Sequence, residues 1–559
     1  MLSLLLMSPL QVHKVNPPLA TSGSDPAIVG DVSSYAWSPE GNEAFYIADQ
    51  ESDDVGELFA TKLSGVLPNR RVSAPLDSSG QLQQDVIAEG GAPCTFEPGG
   101  THLLYEVSSV TPFTSSTSTF ALERGDGSTA GLYGNGSFPR IGSGRVAYLH
   151  VVTSGLGEIA STRLDGLGTP VKLSPGGFGS LGAVLLRLNS AGTRVVFTFT
   201  VVGQRPGVYS APIDGSAAAI ALHGTANSGR QTRSLELTPD GTRAVYVADD
   251  VTNDVDELWS VPIDGSSPPT RLNQAIAGAL DVSADFVISP DGARVVFRAD
   301  ADVNELFELY SVPTSGGAVV KLNGPMVAGG GVPAAVNGDA PQFQFSPDAN
   351  WVVYRAAQDT LGVFELYAAR ADGSSPAVRL NAPLPLTSEV PAYAARISAD
   401  SQLVVFSADA DVANRYELYA VPIDGSLAPV KLNPPMGSGG SLQISPSSGA
   451  RDAFALVPGG GWVVYLADQT ANNLFELFSV PTDGSQLVVQ RSAPLVANGD
   501  VKSFALAPSG SNLLYLADQD TDEVFELYLS KLPLPNVPVR GGAPGRSGVP
   551  GSTVTITAP

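Results

Sequence analysis

Cysteine is nearly absent: one residue, Cys94, in 559. That excludes an intramolecular disulfide framework and any zinc site built from cysteines alone. Histidine is scarce as well. His13, His102, His150 and His223 stand far apart, which argues against a histidine metal cage. Positive charge is short, with 31 Lys and Arg against 55 Asp and Glu and a formal net charge of −24. Phosphate contact needs clustered cations, so a nucleic-acid partner is excluded. No run approaches the roughly 18 to 20 apolar residues that span a bilayer as a helix. The opening MLSLLLMSPL has an apolar burst without the basic flank and cleavage site of a secretory leader, and reads as an ordinary or a truncated start.

What the chain does have is apolar and turn-forming. Hydrophobic residues make up 43%, charged residues 15%, and there are 60 Gly and 44 Pro. Such a chain is apolar enough to fold, and it lacks the strict glycine period of collagen.

Self-similarity decides the architecture. DELWSVPIDGSSPPTRLN from Asp256, FELYSVPTSGGAVVKLN from Phe307, YELYAVPIDGSLAPVKLN from Tyr416 and FELFSVPTDGSQLVVQRSAP from Phe475 are copies of one block, with a weaker copy from Phe364. A second block precedes each, as in FVISPDGARVVFRAD from Phe286 to Asp300. Its aromatic recurs at Tyr46, Tyr105, Tyr148, Phe197, Tyr246, Phe297, Tyr354, Phe406, Tyr465 and Tyr515, which marks ten units. The spacing runs from 43 residues (Tyr105 to Tyr148) to 59 (Tyr46 to Tyr105), and the units at Tyr105, Tyr148 and Phe197 are degenerate.

Each unit predicts four short strands. Strand A ends at a turn such as Ser289-Pro290-Asp291-Gly292, where proline presets the second position and glycine closes the fourth. Strand B is an apolar run such as Val295-Val296-Phe297, the pattern of a strand covered on both faces. Strand C carries Glu-Leu-aromatic. Asp264-Gly265 or Asp424-Gly425 then predicts a tight hairpin with positive φ at both central positions. Strand D ends in Leu-Asn, as at Leu322-Asn323. No segment sustains a 3.6-residue apolar period, so helix should be scarce.

Radial repetition of such units is an all-β propeller of about ten four-stranded antiparallel blades. One ring is expected, with two smaller propellers as the alternative; a β-solenoid fits less well, since its rungs are shorter. The expected segments are 1–20, a leader with an orphan outer strand; 21–535, the repeats; and 536–559, a Gly/Pro-rich tail. Lys14-Val15-Asn16-Pro17-Pro18-Leu19 nearly copies Lys431-Leu432-Asn433-Pro434-Pro435-Met436. It could therefore supply the missing strand D of the last blade, in competition with Pro538-Val539-Arg540.

The SPDG turn, the strand ending Phe/Tyr-x-Ala-Asp and the ELY…IDG hairpin resemble the TolB-like, WD-repeat-like propeller family over roughly residues 30 to 530. That resemblance implies a bacterial protein, exported to the periplasm, secreted or held at the cell surface, and serving to bind another protein or a cell-envelope component. It also implies that the B–C and D–A loops share the binding face. Related propellers precede hydrolase domains, but no G-x-S-x-G elbow occurs here.

Aspartates crowd the B–C loops. Asp300 and Asp302, Asp409 and Asp411, and Asp518 and Asp520 are the candidate metal ligands, with Ca²⁺ as the cation they would suit. The competing reading is a set of turn-forming carboxylates that accept local backbone bonds. Neither the regular EF-hand spacing nor any other cofactor motif is present. Glu57, Glu257, Glu308, Glu365, Glu417, Glu476 and Glu526 repeat too often for a catalytic acid and predict a per-blade structural bond. Departures from consensus are the places for function: Arg355 and Ala357 in unit seven, His150, Cys94, Trp351 and Trp462. The long D–A segments Asn323–Asp339 and Asn381–Ala392 would set specificity. The expected function is a non-catalytic binding scaffold acting through its acidic loop face. The alternatives are a lyase or hydrolase-like propeller enzyme with a channel-mouth site, and a surface protein stabilised by divalent cations.

Overall fold

The computed structural model describes residues 12–532 except 20–29, 51–55, 64–68, 74–82, 88–93, 97–101, 112–113, 125–128, 154–155, 166, 181–183, 202–205, 224–230, 252–253, 275–279, 337–339, 445–452 and 486; of 83–87, 106–138, 153, 180 and 201 it describes the backbone alone. Among these residues there are strands and turns and no helix.

Blade six shows the unit. Strand A (Val282–Ile288), strand B (Arg294–Ala299), strand C (Glu308–Pro313) and strand D (Val320–Lys321) form one antiparallel meander. The Ser289 carbonyl accepts from Gly292 N–H at 2.8 Å, and Gly292 adopts φ 72°. The Asp291 carboxylate accepts from Ser289 Oγ at 2.6 Å and from Ala293 N at 3.0 Å, which locks the turn.

All ten aromatics that mark the units lie in strand B and are buried. In blades one, four, six, seven, eight and ten they stack on an aromatic of strand C, with centroids 5.3 to 6.0 Å apart. Burial of both sheet faces explains why strand B reads as an unbroken apolar run.

The C–D connection differs from expectation. Strands C and D of blade five are separated by residues 263–269, and only Gly265 has positive φ (69°). Asp264 instead accepts from Ser266 N at 3.0 Å, so its side chain closes the turn that a second left-handed residue would otherwise make.

The degenerate units also differ. Blades two to four share one 13-stranded ladder, whereas the other seven are separate four-stranded sheets. Strand Thr129–Gly142 pairs with Thr114–Arg124 through its first half and with Arg145–Thr153 through its second. It thus ends blade two and begins blade three, with register shifts where it turns from one to the other.

The ring closes on itself. Apolar clusters join each blade to the next, and the series returns to its start: Leu514, Leu516 and Leu527 of blade ten pack with Ala44, Tyr46 and Phe59 of blade one. Val32 N donates to Phe525 O at 2.9 Å across this seam, as Val282 N does to Asp256 O at 2.9 Å between blades five and six. Strand D of blade ten is Val12–Lys14, antiparallel to Tyr528–Ser530. The other candidate, Pro538–Arg540, lies outside the described residues. The molecule is a single-ring β-propeller.

Candidate functional site

Asp300 closes strand B of blade six and is buried. Its Oδ1 accepts from Asp281 N at 2.6 Å, and its Oδ2 from Glu305 N at 2.9 Å. Asp409 accepts from Glu389 N at 2.5 Å and Asn414 N at 2.8 Å. Asp518 accepts from Asp500 N, and from Glu523 N at 3.0 Å. Asp468 repeats the arrangement with Ser441 N and Asn473 N. One carboxylate thus holds the D–A loop and the B–C loop of its blade together. The clasp reaches the preceding blade as well, since Asp281 Oδ1 accepts from Asp256 N at 2.8 Å and Asp500 Oδ1 from Phe475 N at 2.7 Å.

The second aspartate of each pair has other company. Lys321 Nζ lies 2.6 Å from Asp302 and 2.7 Å from Glu308. Lys431 bridges Asp411 and Glu417, and Lys14 bridges Asp520 and Glu526. All seven repeated glutamates bond a strand-D side chain: Arg71, Arg271, Lys321, Arg379, Lys431, Gln490 or Lys14. Among the described residues no group of three or more His, Cys, Asp or Glu is arranged to hold a metal ion.

The departures from consensus have separate fates. His150 Nδ1 lies 3.4 Å from Glu158. Cys94 is buried between blades one and two, and burial pushes its thiol up to about 12. The Arg370 guanidinium sits over the Trp351 ring at 5.0 Å. Trp462 is buried and stands where blades three to six have an arginine bonded to a strand-C serine; there Arg491 Nε, from just after strand D, reaches Ser479 Oγ instead at 2.8 Å.

Blade seven departs furthest. Ala357 replaces the clasp aspartate, and a backbone bridge to Gly331 replaces the clasp, with Ala357 N to Gly331 O at 3.0 Å. A Cβ at Gly330 would come within 2.2 Å of the Ala357 carbonyl, so the bridge requires glycine there. The D–A loop therefore lies directly on the B–C loop, and Val327 N also donates to Gln358 O at 3.0 Å. These bonds place B–C and D–A loops on one face.

Two arginines follow the strand-B aromatic, Arg298 in blade six and Arg355 in blade seven; no other unit has one. Arg298 stacks on Phe307 at 3.9 Å and donates to Val332 O at 2.8 Å. Arg355 stacks on Phe364 at 3.8 Å and donates to Val390 O at 2.6 Å, Gln342 Oε1 at 3.1 Å and Glu389 Oε2 at 2.7 Å. Burial lowers the pKa of both guanidiniums, and bonds to carbonyls and carboxylates hold them in place. Each arginine pins one long D–A loop, Arg298 that between blades six and seven and Arg355 that between blades seven and eight. The loops are also tied to each other: Val336 N donates to the Tyr393 hydroxyl at 2.9 Å. Tyr393 has φ 56°, a backbone state that a bulky residue takes only when its surroundings impose it.

Between these loops lies a cavity of about 430 Å³. Its wall is mainly apolar, with Phe343, Leu366, Val390 and Pro391; Arg355, Tyr393, Arg396 and the amides of Gln342 and Gln344 supply the polar atoms. Its position, beside strands A of blades seven and eight, is the inner end of the B–C/D–A face. Sequence reading had marked Arg355 and both loops. It missed Arg298, whose signal was its place one residue after Phe297, and Tyr393, which had none.

No family model and no curated protein matches this chain. Several solved structures are similar to it. The Dos1 propeller is 13% identical with a TM-score of 0.36, covering 74% of this chain and 95% of that one. The β-propeller domain of the Trilobed protease from Pyrococcus furiosus is 11% identical with a TM-score of 0.30, covering 60% and 96%. TolB from Acinetobacter baumannii is 14% identical with a TM-score of 0.26, covering 58% and 79%.

Proposed function

We propose that this propeller is a non-catalytic binding scaffold acting outside the cytoplasm, and that it takes a protein or cell-envelope partner on the B–C/D–A face at blades six to eight. One observation carries the reading. Two long D–A loops, 322–342 and 380–394, are fixed by Arg298, Arg355 and Tyr393 around a cavity. Rigid loops around a mostly apolar hollow with a few placed polar groups suit recognition. The cavity's size would take one large side chain or a small ligand.

A lyase is the second reading, because Arg355, Tyr393 and Arg396 gather at non-repeated positions. Proton abstraction needs a base with a pKa near the working pH. The wall offers no histidine and no carboxylate, and the Tyr393 hydroxyl is engaged with both the N–H and the C=O of Val336. Binding without turnover fits this set better.

The test fills the cavity. Envelope extract is passed over immobilised wild type and over Ala340→Trp, with matched Tm. A polypeptide held by the first and lost from the second is expected. Equal retention by both, or a chemical change in the retained species, overturns the reading.

A further inference from the structure

Four aliphatic side chains interrupt the polar surface of the same face. Val251, Val303, Leu361 and Val412 sit in the B–C loops of blades five, six, seven and eight, and each is more than half exposed. They stand two to four residues after Asp249, Asp300, Ala357 and Asp409, the residues that follow strand B. Blades nine and ten have Ala471 and Thr521 in the corresponding loop, so neither the clasp nor the turn requires an aliphatic. Leu386, in the D–A loop between blades seven and eight, is 79% exposed and extends the series. Single exposed aliphatics are ordinary, but a succession over four adjacent blades makes an apolar arc.

The arc runs through negative charge. Loop 249–256 has four carboxylates, 300–307 three, 357–364 one and 409–416 two, against the single cation Arg415. The clasp aspartates are buried, whereas the side chains of Asp302, Asp359 and Asp411 are about half exposed. Each of these shares one strand-D cation, Lys321, Arg379 or Lys431, with a buried glutamate. In blade eight Arg415 adds a second cation, 3.8 Å from Glu417. The loops nevertheless stay net negative at all four blades, so along the arc aliphatic side chains alternate with negative charge.

We propose that this arc docks a basic segment of a partner protein in which aliphatic and Lys or Arg side chains alternate. The proposal rests on the reading of this face as the binding face and specifies what binds there. Burial of the aliphatics supplies affinity, and the charge alternation sets register and orientation. The same charges repel nucleic acid and anionic bilayers.

The probe is a labelled peptide alternating leucine and lysine, titrated by fluorescence anisotropy. Val303→Ser/Leu361→Ser/Val412→Ser should weaken binding by about tenfold or more. Leu427→Ser/Leu487→Ser, two exposed leucines of the C–D hairpins on the opposite face, should leave it unchanged. High salt should weaken binding to wild type. Equal effects of the two variants, indifference to salt, or tighter binding to phosphatidylserine vesicles than to the peptide overturns the proposal. Failure here is separable from failure of the cavity reading. An envelope polypeptide lost on Ala340→Trp yet indifferent to the triple substitution would refute the arc and leave the binding face standing.

Discussion

Lys14, near the start of the chain, lies 2.6 Å from the carboxylate of Glu526, near its end. The pair copies Lys431 and Glu417 of blade eight, also 2.6 Å apart. Beside it, Asn16 Oδ1 accepts from Leu527 N at 2.8 Å, as Asn433 Oδ1 accepts from Leu418 N at 2.7 Å. Three residues of strand and these bonds close the wheel. Lys14 is partly exposed, and the buried Glu526 keeps bonds from Asn16 and Tyr528, so Lys14→Ala should cost about 1 kcal/mol. Asn16 is buried, and Asn16→Ala leaves the Leu527 amide unpaired, at a cost of about 1–3 kcal/mol. Urea unfolding of the two variants measures the contrast. Equal losses would show that closure depends on the ion pair as much as on the buried amide.

The clasps make a second prediction. Asp409→Ala leaves two part-buried N–H groups, of Glu389 and Asn414, without their carboxylate acceptor. The expected loss is about 1–3 kcal/mol. Because the carboxylate's bonds go to backbone amides, chelation by EDTA should leave the wild-type Tm unchanged. A fall in Tm on chelation that calcium restores would assign these aspartates to a cation instead.

The ring was legible because repeats report the same physics from unit to unit, whereas its closing strand stayed open between two candidate segments. A buried aromatic in strand B, a Pro-Asp-Gly turn and a copied Lys-x-Asn are each tied to one backbone position. The fusion of blades two to four was not legible, since nothing in the Thr129–Gly142 sequence announces a strand serving two blades. The cavity was half legible: loop length and Arg355 showed in the sequence, but the meeting of Tyr393 with Val336 depends on how two unrepeated loops fold. The aspartates show the opposite limit. Their recurrence was plain, yet a sequence does not say whether a carboxylate faces an amide or a cation.

Some pairings lay in the sequence unread. Where the strand-B aromatic is Tyr465 or Tyr515, its hydroxyl donates to the glutamine four residues on, Gln469 at 2.7 Å or Gln519 at 2.6 Å. Tyr354 with Gln358 and Tyr46 with Gln50 repeat this. Where the aromatic is Phe297 or Phe406, the fourth residue is Ala301 or Ala410. Tyr465→Phe alone should therefore cost about 1 kcal/mol, and Tyr465→Phe/Gln469→Ala should recover most of it by imitating blade eight. A double-mutant cycle with no coupling would reduce the pattern to coincidence.

Cys94 gives a probe of the seam between blades one and two. Its thiol is buried with Phe45, Ile47, Leu103 and Tyr105, and its pKa is pushed up to about 12. A disulfide reagent at pH 8 should react at the rate of local opening rather than at that of a free thiol. Reaction on mixing would place the thiolate at the surface.

Two sets of carboxylates act oppositely on the pH dependence of stability. In the turns, the Ser289 hydroxyl holds Asp291 below the ordinary carboxylate value, and the Thr238 hydroxyl does the same for Asp240. A depressed folded pKa gives stability that is complete above the unfolded value of 3.8 and is lost as pH falls through the folded one. At the blade seams, burial raises Asp31, Asp256 and Asp500. A raised folded pKa means the folded state binds its proton more tightly, so these groups gain stability as pH falls toward 3.8. Relief of the repulsion within a −24 chain acts in the same direction. Tm should therefore rise modestly from pH 7 toward about 5 and drop below about 4. Asp500→Asn, which keeps an acceptor for Phe475 N, should raise the neutral-pH Tm and flatten the upper limb. Differential scanning fluorimetry from pH 7 to 3 reads both limbs. A Tm still climbing at pH 3 would mean that the turn aspartates contribute nothing.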